Sequence, residues 1–214
     1  MSRREKSGLN MSNREITLEQ LEALDAGNSI LTAEFFYPTV VPEKKVHLNL
    51  WDWSRSLHAG KAVSSILDVG TGTHGVFDVF HWDKLKPEFK IALDIAEFPR
   101  DLQEGWHKIK ADICNLPFAD KSLDVIQCME TLEHMTRMQG LAALKELCRV
   151  ARTLIATSSC GINNHLGPLN AADRKRNPYT TFRYQPGPDD YESVGFNWLY
   201  NAGGQMLAWK YLGE

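Results

Sequence analysis

Gly70, Gly72 and Gly75 stand in G-x-G-x-x-G spacing directly after the apolar run Ile66-Leu-Asp-Val69, the pattern of a strand that turns sharply into a helix. Glycines at 70 and 72 let the backbone bend and let a ligand approach closely, and a helix start beyond them offers free N–H groups. Asp94 ends the next apolar run nineteen residues after Gly75, where a ribose-binding acid belongs. A carboxylate there can accept from two adjacent hydroxyls at once. Turn and acid in this order imply a cofactor that contains a nucleoside. The glycine spacing alone also admits a nicotinamide dinucleotide.

A third run closes on Ala111-Asp112-Ile113, and a second carboxylate that accepts from an exocyclic amine would select adenine. After the fourth run, Glu130, Glu133 and His134 form an E-x-x-E-H group, two carboxylates and an imidazole that one turn can bring together. Arg174, Lys175 and Arg176 make a basic cluster with His165, Tyr179, Phe182 and Tyr184 nearby. Such a cluster suits an anionic or aromatic substrate, although a solvated loop accounts for it more simply.

These residues need elements to position them. From Ser65 onward short apolar runs alternate with helical stretches, the rhythm of a parallel sheet flanked by helices. Strands are expected at 66–69, 90–95, 108–113, 125–129 and 153–158, and helices at 76–85, 96–105 and 137–151. Residues 196–201 and 205–212 read as a closing antiparallel hairpin. The expected fold is α/β: a doubly wound, seven-stranded, mostly parallel sheet of Rossmann-like kind, with helices on both faces. Residues 160–187, rich in Gly, Asn and Pro, read as a long loop and a candidate lid.

Upstream, Thr17 and Gln20 form a capping box for a short helix carrying Leu18, Leu21 and Leu24, and Val46, Leu50, Trp53 and Leu57 mark a second helix over 43–59. Phe35, Phe36 and Tyr37 between them read as packing residues. Residues 1–60 are therefore expected to form a helical extension packed on a domain spanning 61–214.

The whole chain, at 214 residues with 43% hydrophobic and 24% charged residues, has the composition of one packed domain with a small appendage. No apolar run exceeds four residues, so neither a membrane span nor a standard secretion signal is expected. The net charge of -3 gives no general attraction to nucleic acid. Cys114, Cys128, Cys148 and Cys160 lack C-x-x-C spacing and lie among apolar residues, as reduced cytoplasmic thiols do.

Taken together, DVGTG at 68–72, ALDI at 92–95 and ADICNLPFADKSLDVIQCMETLEHM at 111–135 resemble the class I S-adenosylmethionine-dependent methyltransferases, in particular their type 11 subgroup. The resemblance covers 65–159 closely, and Arg176 to Tyr179 with Asp189 to Phe196 more weakly. His74 departs from it, since the family often has glycine there and the last glycine is displaced to Gly75. The resemblance implies that Asp68 and the turn Gly70, Thr71, Gly72 hold the methionine end. It further implies that Asp94, with Ile95 after it, takes the ribose hydroxyls, Asp112 the adenine amine with Ile113 against the ring, and that Met129 lies beside the sulfonium.

Groups similar to Glu130, Glu133 and His134 bind a divalent ion in some ubiquinone-pathway and small-RNA O-methyltransferases, but the same letters occur in type 11 members without a metal. No metal is assigned on that ground. His134 is the candidate general base, since an imidazole near its free pKa can remove a proton from a neutral acceptor. The expected function is methyl transfer from S-adenosylmethionine to an O, N or C atom of a small-molecule acceptor. Two other readings stay open: a nicotinamide-dependent oxidoreductase, although no Tyr-x-x-x-Lys pair occurs, and a relative that binds the cofactor without catalysis.

Overall fold

Strands β1 (Ser65–Val69), β2 (Phe89–Asp94), β3 (His107–Lys110), β4 (Leu123–Met129) and β5 (Ala151–Ser159) form where the chain is short, apolar and bounded by turn residues. In the computed structural model all five are parallel, and β6 (Asn197–Tyr200) and β7 (Met206–Tyr211) extend them into one sheet of order β3-β2-β1-β4-β5-β7-β6. Only β7 runs against its neighbours, β5 and β6. The expected seven-stranded sheet with its closing hairpin is therefore the observed one. The structure describes residues 16–25, 57, 62–72, 85–98, 102, 104–161, 165, 168–200 and 205–213.

β1 and β4 are buried along their whole length, as central parallel strands covered on both faces must be. Alternate side chains feed two clusters. On one face Leu67, Ile126, Cys128 and Ile155 pack with Leu144, Leu147 and Val150 of helix α2 (Arg137–Val150); on the other, Ile66, Val125, Met129 and Leu154 pack with Leu57, Trp106 and Leu207. α2 starts at Thr136, whose Oγ1 accepts from Gln139 N–H while Thr136 N–H donates back to Gln139 Oε1, a reciprocal cap. Helix α1 (Leu18–Asp25) opens on the expected box of Thr17 and Gln20, and Ile16 N–H donates to Arg183 O at 2.7 Å. The N-terminal helix is thus tied to the segment that follows β5.

Three local expectations change. The third strand stops at Lys110, because the Asp112 side chain accepts from Cys114 N–H and caps a 3-10 helix over Ile113–Asn115. Of the helix expected over 96–105, residues 96–98, 102 and 104–105 are not helical, with Asp94 Oδ1 accepting from Ala96 N–H at the strand end and a turn at 104–105, while 99–101 and 103 lie outside the described residues. The stretch 160–187 is no plain loop. It contains helix α3 (Pro168–Arg176), whose last turn carries Arg174, Lys175 and Arg176 as a helix C-terminus favours. A 3-10 turn over Pro178–Thr180 follows, and α4 (Pro188–Ser193) comes just beyond the stretch. The expected helix at 43–59 apart from Leu57, the aromatic run 35–37, His74 and Gly75, and the expected helix at 76–85 apart from Leu85 lie outside the described residues.

Candidate active site

The parallel strands all end at one edge of the sheet, and the strand order reverses where β4 returns to lie beside β1, which puts the switch point at which open α/β sheets bind their ligands between those two ends. Gly70 takes φ +75° and Gly72 φ +67°, a conformation that side chains rarely adopt. Gly70 N–H donates to Leu93 O at 2.8 Å, which locks the turn against the end of β2. A Cβ at Gly70 would lie 2.2 Å from Thr131 Oγ1, so the turn also meets the chain leaving β4. At Gly72, among the described residues, the nearest atom to such a Cβ is Gly70 O at 4.0 Å.

Asp94 joins this turn directly. Its Oδ2 accepts from Gly72 N–H at 2.7 Å, across 22 residues of chain, and Oδ1 accepts from Ala96 N–H at 2.7 Å. Each oxygen keeps a second lone pair for a ribose hydroxyl. Asp112 follows β3 with an exposed side chain, and Ile113 behind it is buried in the core with Leu116 and Leu93. Ile95 is 40% exposed beside Asp94, an apolar surface at the strand edge. Met129 is buried at the end of β4.

Asp68 differs from these acids. It is wholly buried on β1, its Oδ1 accepts from Gln127 Nε2 at 2.5 Å, and Oδ2 has no partner. Burial pushes its carboxyl up to about 7. The Asp68 backbone oxygen accepts from Thr71 Oγ1 at 3.3 Å, which braces the turn from below.

The E-x-x-E-H residues divide. Glu130 has φ +51°, a strained backbone for a side chain, and its Oε1 accepts from Ser158 Oγ at 2.7 Å and from Gln205 Nε2. Burial, with the neighbouring Glu133 charge, raises its pKa. Glu133 is fully buried, and its Oε1 accepts from Cys160 N–H and faces Cys160 Sγ, both at 3.2 Å. His165 Nε2 lies 3.1 Å from that sulfur and 3.7 Å from Glu133 Oε1.

His134, the sequence-based candidate base, stands edge-on to the His165 ring with centroids 4.9 Å apart, and its Nδ1 is buried without a partner. Burial lowers the pKa of both imidazoles. It also raises that of the Cys160 thiol, with the two glutamates adding to the effect. Arg174 is buried too. Its Nη1 donates to His165 O at 2.6 Å, so one member of the expected basic cluster supports the histidine.

Sequence reasoning named Glu130, Glu133 and His134 but missed Cys160 and Gln205, and it read His165 only as a neighbour of a basic loop. Cys160 follows a strand end as Glu130 does, and that position was its one available signal. Gln205 reaches Glu130 because β7 pairs with β5 in the register Ser159↔Met206, which no local pattern announces.

Residues 67–153 match the family model of a methyltransferase domain. Among solved structures, the chain is similar to an S-adenosylmethionine-dependent methyltransferase from Mesorhizobium loti at 10% identity and TM-score 0.52, over 75% of this chain and 96% of that one. It is also similar to a chain in the complex of the Haloferax volcanii Trm112 methyltransferase activator with its methyltransferase, at 13% identity and TM-score 0.51, over 76% and 90%. At these identities the likeness is one of fold. A comparison with curated protein sequences finds no match.

Proposed function

We propose that this chain, whose residues 67–153 match the family model of a methyltransferase domain, transfers the methyl group of S-adenosylmethionine to a small-molecule acceptor. One observation carries the reading: the glycine turn after β1 is hydrogen-bonded to the Asp94 carboxylate after β2, with Asp112 next in line after β3. That row gives a backbone turn, a ribose acceptor and an adenine acceptor in the order in which an adenosyl cofactor presents its parts.

In this reading Gly70, Thr71 and Gly72 hold the methionine end with Asp68 beneath them, Asp94 and Ile95 hold the ribose, and Asp112 and Ile113 hold the adenine. Met129 borders the sulfonium. The bound cofactor supplies an electrophilic methyl group. The protein contributes alignment and exclusion of water rather than a large acid–base effect. The acceptor lies on the side of Glu130, His134 and the segment 160–187, which fastens to the site through Arg183 N–H and Glu133 O at 2.8 Å. We take residues 1–60 as an extension of a catalytic domain 61–214, and Ile16, at the head of helix α1, bonds to Arg183 of that domain.

Calorimetry with S-adenosylhomocysteine and with reduced nicotinamide dinucleotides tests this. We expect micromolar binding of the first and none comparable for the second. Asp94→Ala should weaken S-adenosylhomocysteine by at least about tenfold, since hydrogen bonds to a charged group contribute on the order of 1.5 to 3 kcal/mol each. Asp112→Ala should cost less, because it removes the acceptor of a single amine hydrogen bond. Tight nicotinamide binding without the homocysteine compound would replace methyl transfer by hydride transfer.

A further inference from the structure

The group formed by Glu133, Cys160 and His165 is unlike the rest of the site. Their ligand-type atoms, a carboxylate oxygen, a sulfur and an imidazole nitrogen, all lie within 4.8 Å of one another, and two of the three residues are buried. The three separations are 3.2 Å for oxygen to sulfur, 3.1 Å for sulfur to nitrogen and 3.7 Å for nitrogen to oxygen. A tetrahedral zinc ion bound at its usual distances of about 2.3 Å to sulfur and about 2.0 Å to nitrogen and oxygen needs ligand separations of about 3.3 to 3.6 Å. To accept one, the observed triangle needs to open by a few tenths of an ångström on its two sulfur edges and to close by about as much on its nitrogen–oxygen edge.

The remaining Glu133 oxygen, Oε2, is buried without any hydrogen-bond partner on a residue that is 0% exposed. Leaving a buried carboxylate oxygen unpaired is costly, and a cation at the centre of the triangle answers that cost. The histidine is also held in place: Arg174 Nη1 donates to the His165 backbone carbonyl at 2.6 Å, and Phe182 packs on the ring with centroids 5.3 Å apart.

We propose that Glu133, Cys160 and His165 form a binding site for a zinc-class divalent transition ion at the carboxyl ends of β4 and β5. The ligand set mixes one thiolate, one imidazole and one carboxylate, which selects a borderline ion such as Zn2+ over Mg2+ or Ca2+. It is not the sequence-adjacent group, because Glu130 turns its carboxylate to Ser158 and Gln205. Three protein ligands leave a fourth position for water or, if the methyl-transfer reading holds, for a heteroatom of the acceptor.

Metal binding by the full-length, reduced and chelator-dialysed chain tests the site without cofactor, so its failure leaves the methyl-transfer reading untouched. Zn2+ titrated against a chromophoric chelator should bind at one ion per chain with a dissociation constant below about a micromolar. Co2+ in its place should give a near-ultraviolet sulfur-to-cobalt charge-transfer band in the unmutated protein and none in Cys160→Ser. His165→Ala should weaken Zn2+ by at least about tenfold, the least that loss of even an outer partner of a ligand causes. Thermal melts without metal show whether each variant is folded.

No stoichiometric Zn2+, or a cobalt complex of the unmutated protein without the sulfur band, would reduce the cluster to a hydrogen-bonded thiol and overturn the proposal. Loss of binding in Glu130→Gln with retention in His165→Ala would overturn the ligand set in favour of the sequence-adjacent group.

Discussion

Asp68 shows how burial decides the behaviour of a single residue. With Oδ2 unpaired and the side chain inside the sheet, its carboxyl titrates at about 7 rather than at the ordinary 3.8. The folded chain thus holds a proton that the unfolded chain has already released. Stability is fully present below about pH 4, falls as pH rises toward 7 and is flat above it, a loss of up to about 4 kcal/mol at about 1.4 kcal/mol per pH unit. Urea unfolding of the parent and of Asp68→Asn, both without ligand, should therefore show the variant gaining on the parent between pH 4 and 7. The difference isolates Asp68 from the two histidines, whose lowered pKa values act with the opposite sign below about pH 6.5. A difference that stays constant over this range would mean that the buried carboxyl is hydrated.

At the scale of elements, the switch point between β1 and β4 depends on two chain ends that meet. Gly70 after β1 and Thr131 after β4 approach so closely that a Cβ at Gly70 would overlap the threonine at 2.2 Å. Thr131 Oγ1 in turn donates to Met129 O at 3.0 Å, which holds the start of the E-x-x-E-H turn in place. Gly70→Ala adds this overlap to a backbone strain of about 1 to 3 kcal/mol. The double variant Gly70→Ala with Thr131→Gly removes the overlap and keeps the strain, so it should melt above the single variant although Thr131→Gly alone destabilises. Strictly additive melting temperatures would show that the two ends do not touch.

The same scale explains what was legible. The capping box at Thr17, the strands and the glycine turn were legible because the residue types and spacing that form them are local, even where the bond that fixes them, such as Gly72 N–H to Asp94, spans 22 residues. α3, read as part of a loop, has a mostly polar sequence and no apolar stripe long enough to register.

For the molecule as a whole, the opposite edge of the sheet is stability without chemistry. Asp124 at the start of β4 accepts from Ser64 and Ser65 N–H at 2.8 and 3.1 Å and from Arg152 Nη1 at 2.7 Å, joining β1, β4 and β5 where they begin. Asp124→Ala leaves two backbone donors unpaired, at about 1 to 3 kcal/mol each. Chemical unfolding should show a loss of about 2 to 6 kcal/mol, and calorimetry on the folded variant should find S-adenosylhomocysteine affinity within about twofold of the parent. A larger loss of affinity would mean that the two edges are coupled through β1.

The sequence by itself determined the class of fold and, for the candidate site, the order of its acids along the chain. Each of these follows from local periodicity and from residues that only a turn or a strand end can use. Tertiary structure decided which of those residues act together. The register of β7 on β5 brings Gln205 to Glu130, and the chain beyond β5 folds back to set His165 against Cys160 and Glu133. Such meetings depend on strand order and burial across long separations, and hydrophobic spacing carries no record of them.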